Sequence, residues 1–111
     1  MSAMGFHLTF LGEGRALFEP APSLDVSRTD ALVEEIVRRL QARGASRLYY
    51  DLSELMVIDE VYYGWLDRLA RACEAVNARL VGVGIQPTAA FALASRLTLP
   101  PRFETALDIV R

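Results

Sequence analysis

The chain is short of the residues from which most catalytic and metal sites are built. Its 111 residues include one cysteine and one histidine, so neither an internal disulfide nor a cluster of Cys and His ligands is possible. His7 lies on a predicted edge strand, and Cys73 lies on the apolar stripe of a predicted helix, so both are expected to be surface or packing residues. The pair Gly82 and Gly84 lacks the third glycine of a dinucleotide loop. We therefore expect no enzymatic activity, no metal site and no cofactor.

A basic excess and a long apolar run are also missing. Twelve basic against fourteen acidic residues give a formal net charge of −2, whereas nucleic-acid binders usually carry a basic excess. No apolar run approaches the ~18–20 residues of a membrane-spanning helix, and the N-terminus has no basic segment followed by an apolar stretch. We therefore expect a soluble, cytoplasmic protein with neither nucleic acid nor a membrane as its partner.

Hydrophobic residues are abundant enough for one core. They make up 52% of the chain, which excludes global disorder, and a chain of this length suffices for one domain rather than two. We expect residues 1–5 to be flexible and residues 6–111 to form the domain.

Strand-like and helical periodicities alternate along this domain. The predicted elements are a hairpin of strands 6–11 and 15–19, helices 28–44, 60–77 and 88–97, buried strands 47–52 and 80–85, and a final strand edge or short helix at 103–110. Strands that alternate with helices pair in parallel through crossover connections. The sequence therefore predicts a single α/β domain, with a mixed, mostly parallel sheet, an N-terminal β-hairpin, and helices packed on the sheet.

The start of the second predicted helix carries the residues best suited to binding a partner. Asp59 is a good N-cap residue, and Glu60 falls in the first turn, where the helix dipole favours negative charge by roughly 0.3–1 kcal/mol. Tyr62 lies on the apolar stripe with Trp65, whereas Tyr63 points about 100° away and is expected to be exposed. Helix capping alone would also explain the acids, so a docking surface and a structural cap are both open.

Three short patterns in the second half of the chain point to a known family. They are Asp51-Leu52-Ser53 at a strand end, Ile58-Asp59 at the start of a long helix, and Gly84-Ile85-Gln86-Pro87 at a strand-to-helix corner. Their order and spacing resemble STAS domains, the family of sulfate-transporter and anti-sigma-factor-antagonist domains. The resemblance covers residues 6–111 and is closest to the small single-domain scaffold proteins of the stressosome branch.

The resemblance implies a non-enzymatic signalling module that works by binding proteins. In the family, a serine or threonine directly after the Ile-Asp pair accepts a phosphate from a partner serine kinase. Glu60 occupies that position here, so the acceptor hydroxyl is missing, and one fixed charge replaces the about −1.5 to −2 of phosphoserine. Glu60 is therefore either a permanent, partial mimic of the modified state or the mark of a passive scaffold.

The resemblance also suggests where partners bind and what they are. We place the expected partner-binding or regulatory site at Asp51, Ser53, Asp59, Glu60, Tyr63 and Thr88. The expected partners are other STAS-domain proteins, an anti-sigma-type serine kinase, or both, within a homo- or hetero-oligomer. The alternative is a STAS module that binds a nucleotide or another small ligand.

Overall fold

Strands and helices alternate along the chain in the order that the sequence predicts. A computed structural model of the protein describes residues 5–96 and 103–106. The elements are β1 (Phe6–Gly12), β2 (Arg15–Pro20), α1 (Thr29–Arg43), β3 (Arg47–Asp51), α2 (Glu60–Ala75), β4 (Arg79–Val83), α3 (Pro87–Arg96) and β5 (Glu104–Ala106). Of the segment 1–5, predicted to be flexible, only Gly5 is described, and its carbonyl accepts a hydrogen bond from the Ala21 N–H at 2.9 Å.

The strands of the described residues form one mixed sheet in the order β1-β2-β3-β4-β5. β1 and β2 are the antiparallel hairpin, and every other neighbouring pair is parallel. β3 and β4 are parallel neighbours, with Leu48 opposite Leu80 and Tyr50 opposite Gly82. The predicted α/β class, the mostly parallel sheet and the N-terminal hairpin are therefore confirmed.

The main core lies between one face of the sheet and the helices α1 and α2. Leu32, Ile36 and Leu40 of α1 and the apolar stripe of α2 are buried against the inward-facing residues of β2, β3 and β4. The buried residues of the α2 stripe are Trp65, Leu66, Leu69, Ala70 and Cys73. Removal of this apolar surface from water is the dominant free-energy contribution that favours the fold.

The opposite face of the sheet carries a second, smaller apolar cluster. Tyr49, Val81 and Val83 are buried there, with Leu17 and Ala106 packed against them. Successive side chains of a strand point to opposite faces, so β3 and β4 bury residues on both sides of the sheet. This two-sided burial explains the continuous apolar runs of the central strands.

The two ends of α1 are closed in different ways. α1 ends at Gly44, which adopts a left-handed φ of 61° at little cost because it has no Cβ. At the other end of α1, Arg28 occupies the N-cap position, and its side chain makes no capping hydrogen bond. The Ser27 hydroxyl instead donates to Asp25 at 2.5 Å, and the Thr29 hydroxyl donates to the Val26 carbonyl at 2.9 Å.

None of the helices in the described parts of the chain combines the length and the apolar character needed to cross a membrane.

Candidate functional site

A tight turn follows β3 at the edge of the sheet where the parallel strands end. The Asp51 Oδ1 accepts hydrogen bonds from both the N–H and the hydroxyl of Ser53, at 2.9 and 2.6 Å. A carboxylate that accepts a hydrogen bond from the backbone N–H two residues ahead stabilises a turn. Two of the predicted site residues are therefore brought together, and the contacts between them shape the loop that leads into α2.

The same loop is held from its other side by the corner between β4 and α3. The Gln86 Nε2 donates to the Ser53 carbonyl at 2.6 Å, and the Thr88 hydroxyl donates to the Met56 carbonyl at 3.0 Å. Gly84 has a φ of +68°, and a Cβ at this position would lie 3.3 Å from the Ser53 Cβ. These contacts give a physical reason for the Gly-Ile-Gln-Pro corner, and they place Thr88 beside the loop of the candidate site.

The carboxylates of Asp59 and Glu60 have different surroundings at the start of α2. The Asp59 Oδ1 accepts a hydrogen bond from the Tyr62 N–H at 2.8 Å, and its extended backbone is that of an N-cap residue. Glu60 occupies the first turn and is exposed, and its carboxylate forms no ion pair or hydrogen bond with any residue that the structure describes. The carboxylate of Asp59 is thus used within the fold, whereas that of Glu60 faces solvent.

Tyr63 differs from its predicted environment. It is half-buried and packs against the main core, with its ring centroid 6.1 Å from that of Phe103. Burial raises the pKa of Tyr63, and the nearby charge of Asp67 raises it further. The prediction that Tyr63 is exposed is wrong, because Phe103, which precedes β5, covers a helix face that local periodicity alone assigns to solvent.

A buried polar network that the sequence analysis missed lies directly beneath the start of α2. The hydroxyl of Tyr50, in β3, shares a hydrogen bond with the hydroxyl of Tyr62, and it also accepts one from the Trp65 Nε1 at 2.9 Å. Burial raises the pKa of both tyrosines. The sequence signal for this network was that Tyr62 and Trp65, on the apolar stripe of the helix, carry an O–H and an N–H group that need partners when buried.

Three exposed apolar side chains lie close to Glu60 along the chain. Met56, Val57 and Val61 are each at least 61% exposed, and they lie within four residues of Glu60. Phe91 is 78% exposed and lies on α3, whose Thr88 contacts the Met56 carbonyl. Apolar side chains grouped beside charged ones are typical of protein-binding surfaces.

The described residues offer little for metal or nucleophilic chemistry. Within 5–96 and 103–106, no group of three His, Cys, Asp or Glu side chains is placed to hold a metal ion. Cys73 is buried in the main core, and this burial raises its pKa to about 12. A thiol that stays protonated at neutral pH is a poor nucleophile, so Cys73 is a packing residue.

Comparison with known proteins gives matches to solved structures alone. No family model and no curated protein matches the chain. RsbS from Moorella thermoacetica, in a variant that carries glutamate in place of a serine, has a TM-score of 0.71 and 24% identity over 97% of this chain and 89% of its own. The anti-sigma factor antagonist SpoIIAA, in its unphosphorylated form, has a TM-score of 0.61 and 18% identity over 93% of this chain and 89% of its own.

A third similar structure, determined by NMR, is that of the protein TM1081. Its TM-score is 0.66, with 10% identity over 86% of this chain and 74% of that chain. Similarity at such low identity shows a shared fold. The chain therefore has the fold of STAS domains, as its resemblance to that family implies.

Proposed function

We propose that the protein is a non-enzymatic signalling module that binds other proteins through the start of α2, with Glu60 as a fixed negative charge in place of a phosphorylated residue. The observation that carries this proposal is the division of roles between Asp59 and Glu60. Asp59 caps the helix, so Glu60 is not needed for that purpose and is exposed. An exposed charge beside exposed apolar side chains is well placed to contact a partner.

The remaining site residues support this surface from within the fold. Asp51, Ser53 and Thr88 shape the loop before α2 through hydrogen bonds. We assign them a positioning role, and we assign Tyr63 the same role because it anchors the first turn against Phe103. Glu60, with the exposed apolar side chains around it, would make the direct contact.

The proposed partners are another STAS-domain protein, a serine kinase of the anti-sigma type, or both. SpoIIAA is an anti-sigma factor antagonist, and the RsbS structure has glutamate in place of a serine. These two neighbours support a regulatory rather than a catalytic role. A carboxylate carries about half the charge of a phosphate. Glu60 would therefore hold the surface in a single binding state that has part of the charge of a phosphorylated form.

The test is to measure binding to a STAS-domain protein and to a serine kinase of the anti-sigma type, both from the same organism. Isothermal calorimetry would compare wild type with Glu60→Gln, which keeps the shape of the side chain and removes its charge. We expect Glu60→Gln to bind about tenfold more weakly, because an exposed charge interacts directly with complementary charge on the partner. Glu34→Gln, at an exposed position of α1, is the matched control and should bind as wild type does.

A kinase assay supplies a second readout. Wild type should not be phosphorylated at residue 60, whereas Glu60→Ser should accept a phosphate there from the anti-sigma-type serine kinase. If Glu60→Gln binds both partners as tightly as wild type does, the fixed-charge proposal is wrong, and Glu60 is only a helix-start residue. Uptake of a nucleotide or another small ligand by the purified protein would instead favour the ligand-binding alternative.

A further inference from the structure

Gly64 is a glycine that the fold does not require. It lies in the interior of α2 and is exposed, and a Cβ at this position would meet no described residue within 4 Å. Gly84, in contrast, adopts a left-handed φ that favours glycine, whereas Gly64 does not. A glycine inside a helix is less favourable than alanine, because it has more conformational freedom to lose. Gly64 therefore weakens α2 without improving its packing.

Gly64 leaves a gap in a row of side chains on the exposed face of α2. Residues four apart are neighbours on the surface of a helix, so Glu60, Gly64 and Arg68 form one row, and all three are exposed. Each step of four residues measures about 6 Å along the helix axis. The gap at Gly64 therefore lies between two long charged side chains, and we call it the Gly64 notch.

The Gly64 notch has an exposed apolar residue and one unbalanced charge at its border. Val61 precedes Gly64 by three residues, so it lies beside the notch on the same helix surface, and it is exposed. The Arg68 guanidinium is paired with Asp30 of α1 at 2.6 Å. The Glu60 carboxylate, in contrast, forms no ion pair with any residue of 5–96 or 103–106.

The charges around the start of α2 define the chemistry of a molecule that would cover the notch. Glu54, Asp59 and Glu60 are exposed there, and no lysine or arginine occurs between residues 48 and 67. A partner that covers this surface without a positive group would leave the Glu60 carboxylate desolvated and unpaired, which weakens binding. The complementary partner therefore places an apolar group in the notch and a positive group about 6 Å away, beside Glu60.

We propose that a helix of the partner protein packs across α2 with its closest approach at Gly64. An apolar side chain of that helix enters the notch and contacts Val61, and a lysine or arginine one turn away pairs with Glu60. Helices pack by placing side-chain rows of one into the gaps of the other, and residues four apart on the partner have the same spacing of about 6 Å as Glu60 and Gly64. This inference rests on the proposed function and adds the shape and chemistry of the partner.

The test is to fill the notch and to measure stability and binding separately. Alanine and leucine are both better helix formers than glycine, so Gly64→Ala should raise the melting midpoint by about 2–5 °C, and Gly64→Leu should not lower it. Calorimetry would use the STAS-domain protein and the anti-sigma-type serine kinase. Binding should be at least about fivefold weaker for Gly64→Ala and at least about fiftyfold weaker for Gly64→Leu, because each fills space that the partner occupies. Opposite changes in stability and affinity would distinguish a lost partner contact from damage to the fold.

A substitution at the far end of the same helix is the matched control. Ala75 is the last residue of α2 and is exposed, and it lies about 16 Å along the helix axis from Gly64. Ala75→Leu adds an exposed apolar side chain to α2 outside the notch, so it should bind as wild type does. If Ala75→Leu weakened binding as much as Gly64→Leu does, the effect would not be specific to the notch, and the proposal would be wrong.

A double variant tests whether one helix makes both contacts. Glu60→Gln should weaken binding about tenfold in the wild-type background. In the Gly64→Leu background it should weaken binding by less than about twofold, because a helix that cannot seat in the notch has already moved away from Glu60. Independent effects that multiply in full would mean that separate parts of the partner contact Gly64 and Glu60, which would overturn the proposal of a single helix.

The outcomes distinguish failure of this inference from failure of the proposed function. If both Gly64 variants bind as wild type does while Glu60→Gln binds more weakly, the helix at the notch is wrong and the fixed-charge proposal stands. If Glu60→Gln binds as wild type does while Gly64→Leu binds more weakly, the fixed-charge proposal is wrong and the close approach at Gly64 stands. A lower melting midpoint for Gly64→Ala would show that Gly64 serves the fold, and it would overturn the inference. A wild type that binds neither protein would overturn both proposals.

Discussion

The hydroxyl groups of Tyr50 and Tyr62 share a hydrogen bond that joins the middle of the sheet to the first turn of α2. Tyr50 is fully buried, its ring stacks on Phe18 with centroids 4.5 Å apart, and its hydroxyl also accepts the Trp65 N–H. Among the described residues, no buried side-chain nitrogen or oxygen lacks a partner. The helix start that presents Glu60 is therefore fixed in place by a satisfied polar network in the core.

Removal of the Tyr50 hydroxyl should lower the free energy of unfolding more than removal of the Tyr62 hydroxyl does. Tyr50→Phe leaves the buried Trp65 N–H without an acceptor, which should lower the free energy of unfolding by about 1–3 kcal/mol. Tyr62→Phe keeps the Trp65 bond and should cost about 0.5–1.5 kcal/mol. Urea unfolding of both variants would measure the difference. An equal or reversed order would show that the network does not depend on Tyr50.

Alkaline pH should destabilise the protein through the same tyrosines. Burial raises the pKa of Tyr50 and of Tyr62 above the ordinary value of 10.0, so the unfolded chain loses these protons first. The stabilising contribution is complete below about pH 10 and is lost above it, by up to about 1.4 kcal/mol per pH unit for each tyrosine.

Urea unfolding at a series of pH values between about 8 and 11 would measure this loss. Tyr50→Phe removes one of the groups whose pKa is raised by burial, while Tyr62, Tyr63 and Cys73 remain. Its stability should therefore fall less steeply above pH 10 than that of wild type. An identical slope in the variant would mean that the alkaline loss comes from other groups.

Gly82 is a packing residue rather than part of a ligand loop. A Cβ at this position would lie 2.7 Å from the Cδ1 of Leu52, which is fully buried. Gly82→Ala should therefore lower the free energy of unfolding by about 1–3 kcal/mol through overpacking. In the double variant with Leu52→Ala, the added methyl occupies vacated space, so the total cost should be less than the sum of the single costs. Strict additivity in urea unfolding would contradict this packing role.

The parts of the fold that depend on local chemistry were predictable from the sequence. Short continuous apolar runs predicted the central strands, the periodicity of 3.6 predicted the buried face of α2, and Asp59 marked the N-cap of this helix. Each of these signals lies within the element that it specifies. For this reason the start of α2 was correctly placed at Glu60.

Features that depend on contacts between distant segments were not predictable. Tyr63 is covered by Phe103, forty positions later in the chain, and the Tyr50–Tyr62 bond requires β3 beneath α2. The alignment of three strand starts, among them Arg47 and Arg79, likewise depends on the register of the parallel strands. Local periodicity contains no information on register, which is fixed by tertiary packing.

The division of roles at the start of α2 can be tested through stability alone. Asp59→Ala removes the acceptor for the Tyr62 N–H and should lower the free energy of unfolding by about 0.5–2 kcal/mol. Asp59→Asn retains a capping oxygen and should stay close to wild type. Glu60→Gln should cost only about 0.3–1 kcal/mol, and this cost should shrink at high salt because it arises from an exposed charge near the helix dipole.

The comparison of these three variants bears directly on the assignment of Glu60. If Glu60→Gln were as costly as Asp59→Ala, and equally costly in high salt, the side chain of Glu60 would belong to the helix cap. Its charge would then serve the fold. A small, salt-sensitive loss of stability would instead leave this charge available for a partner. A residue that contributes little to folding can contact a partner without destabilising the helix on which it lies.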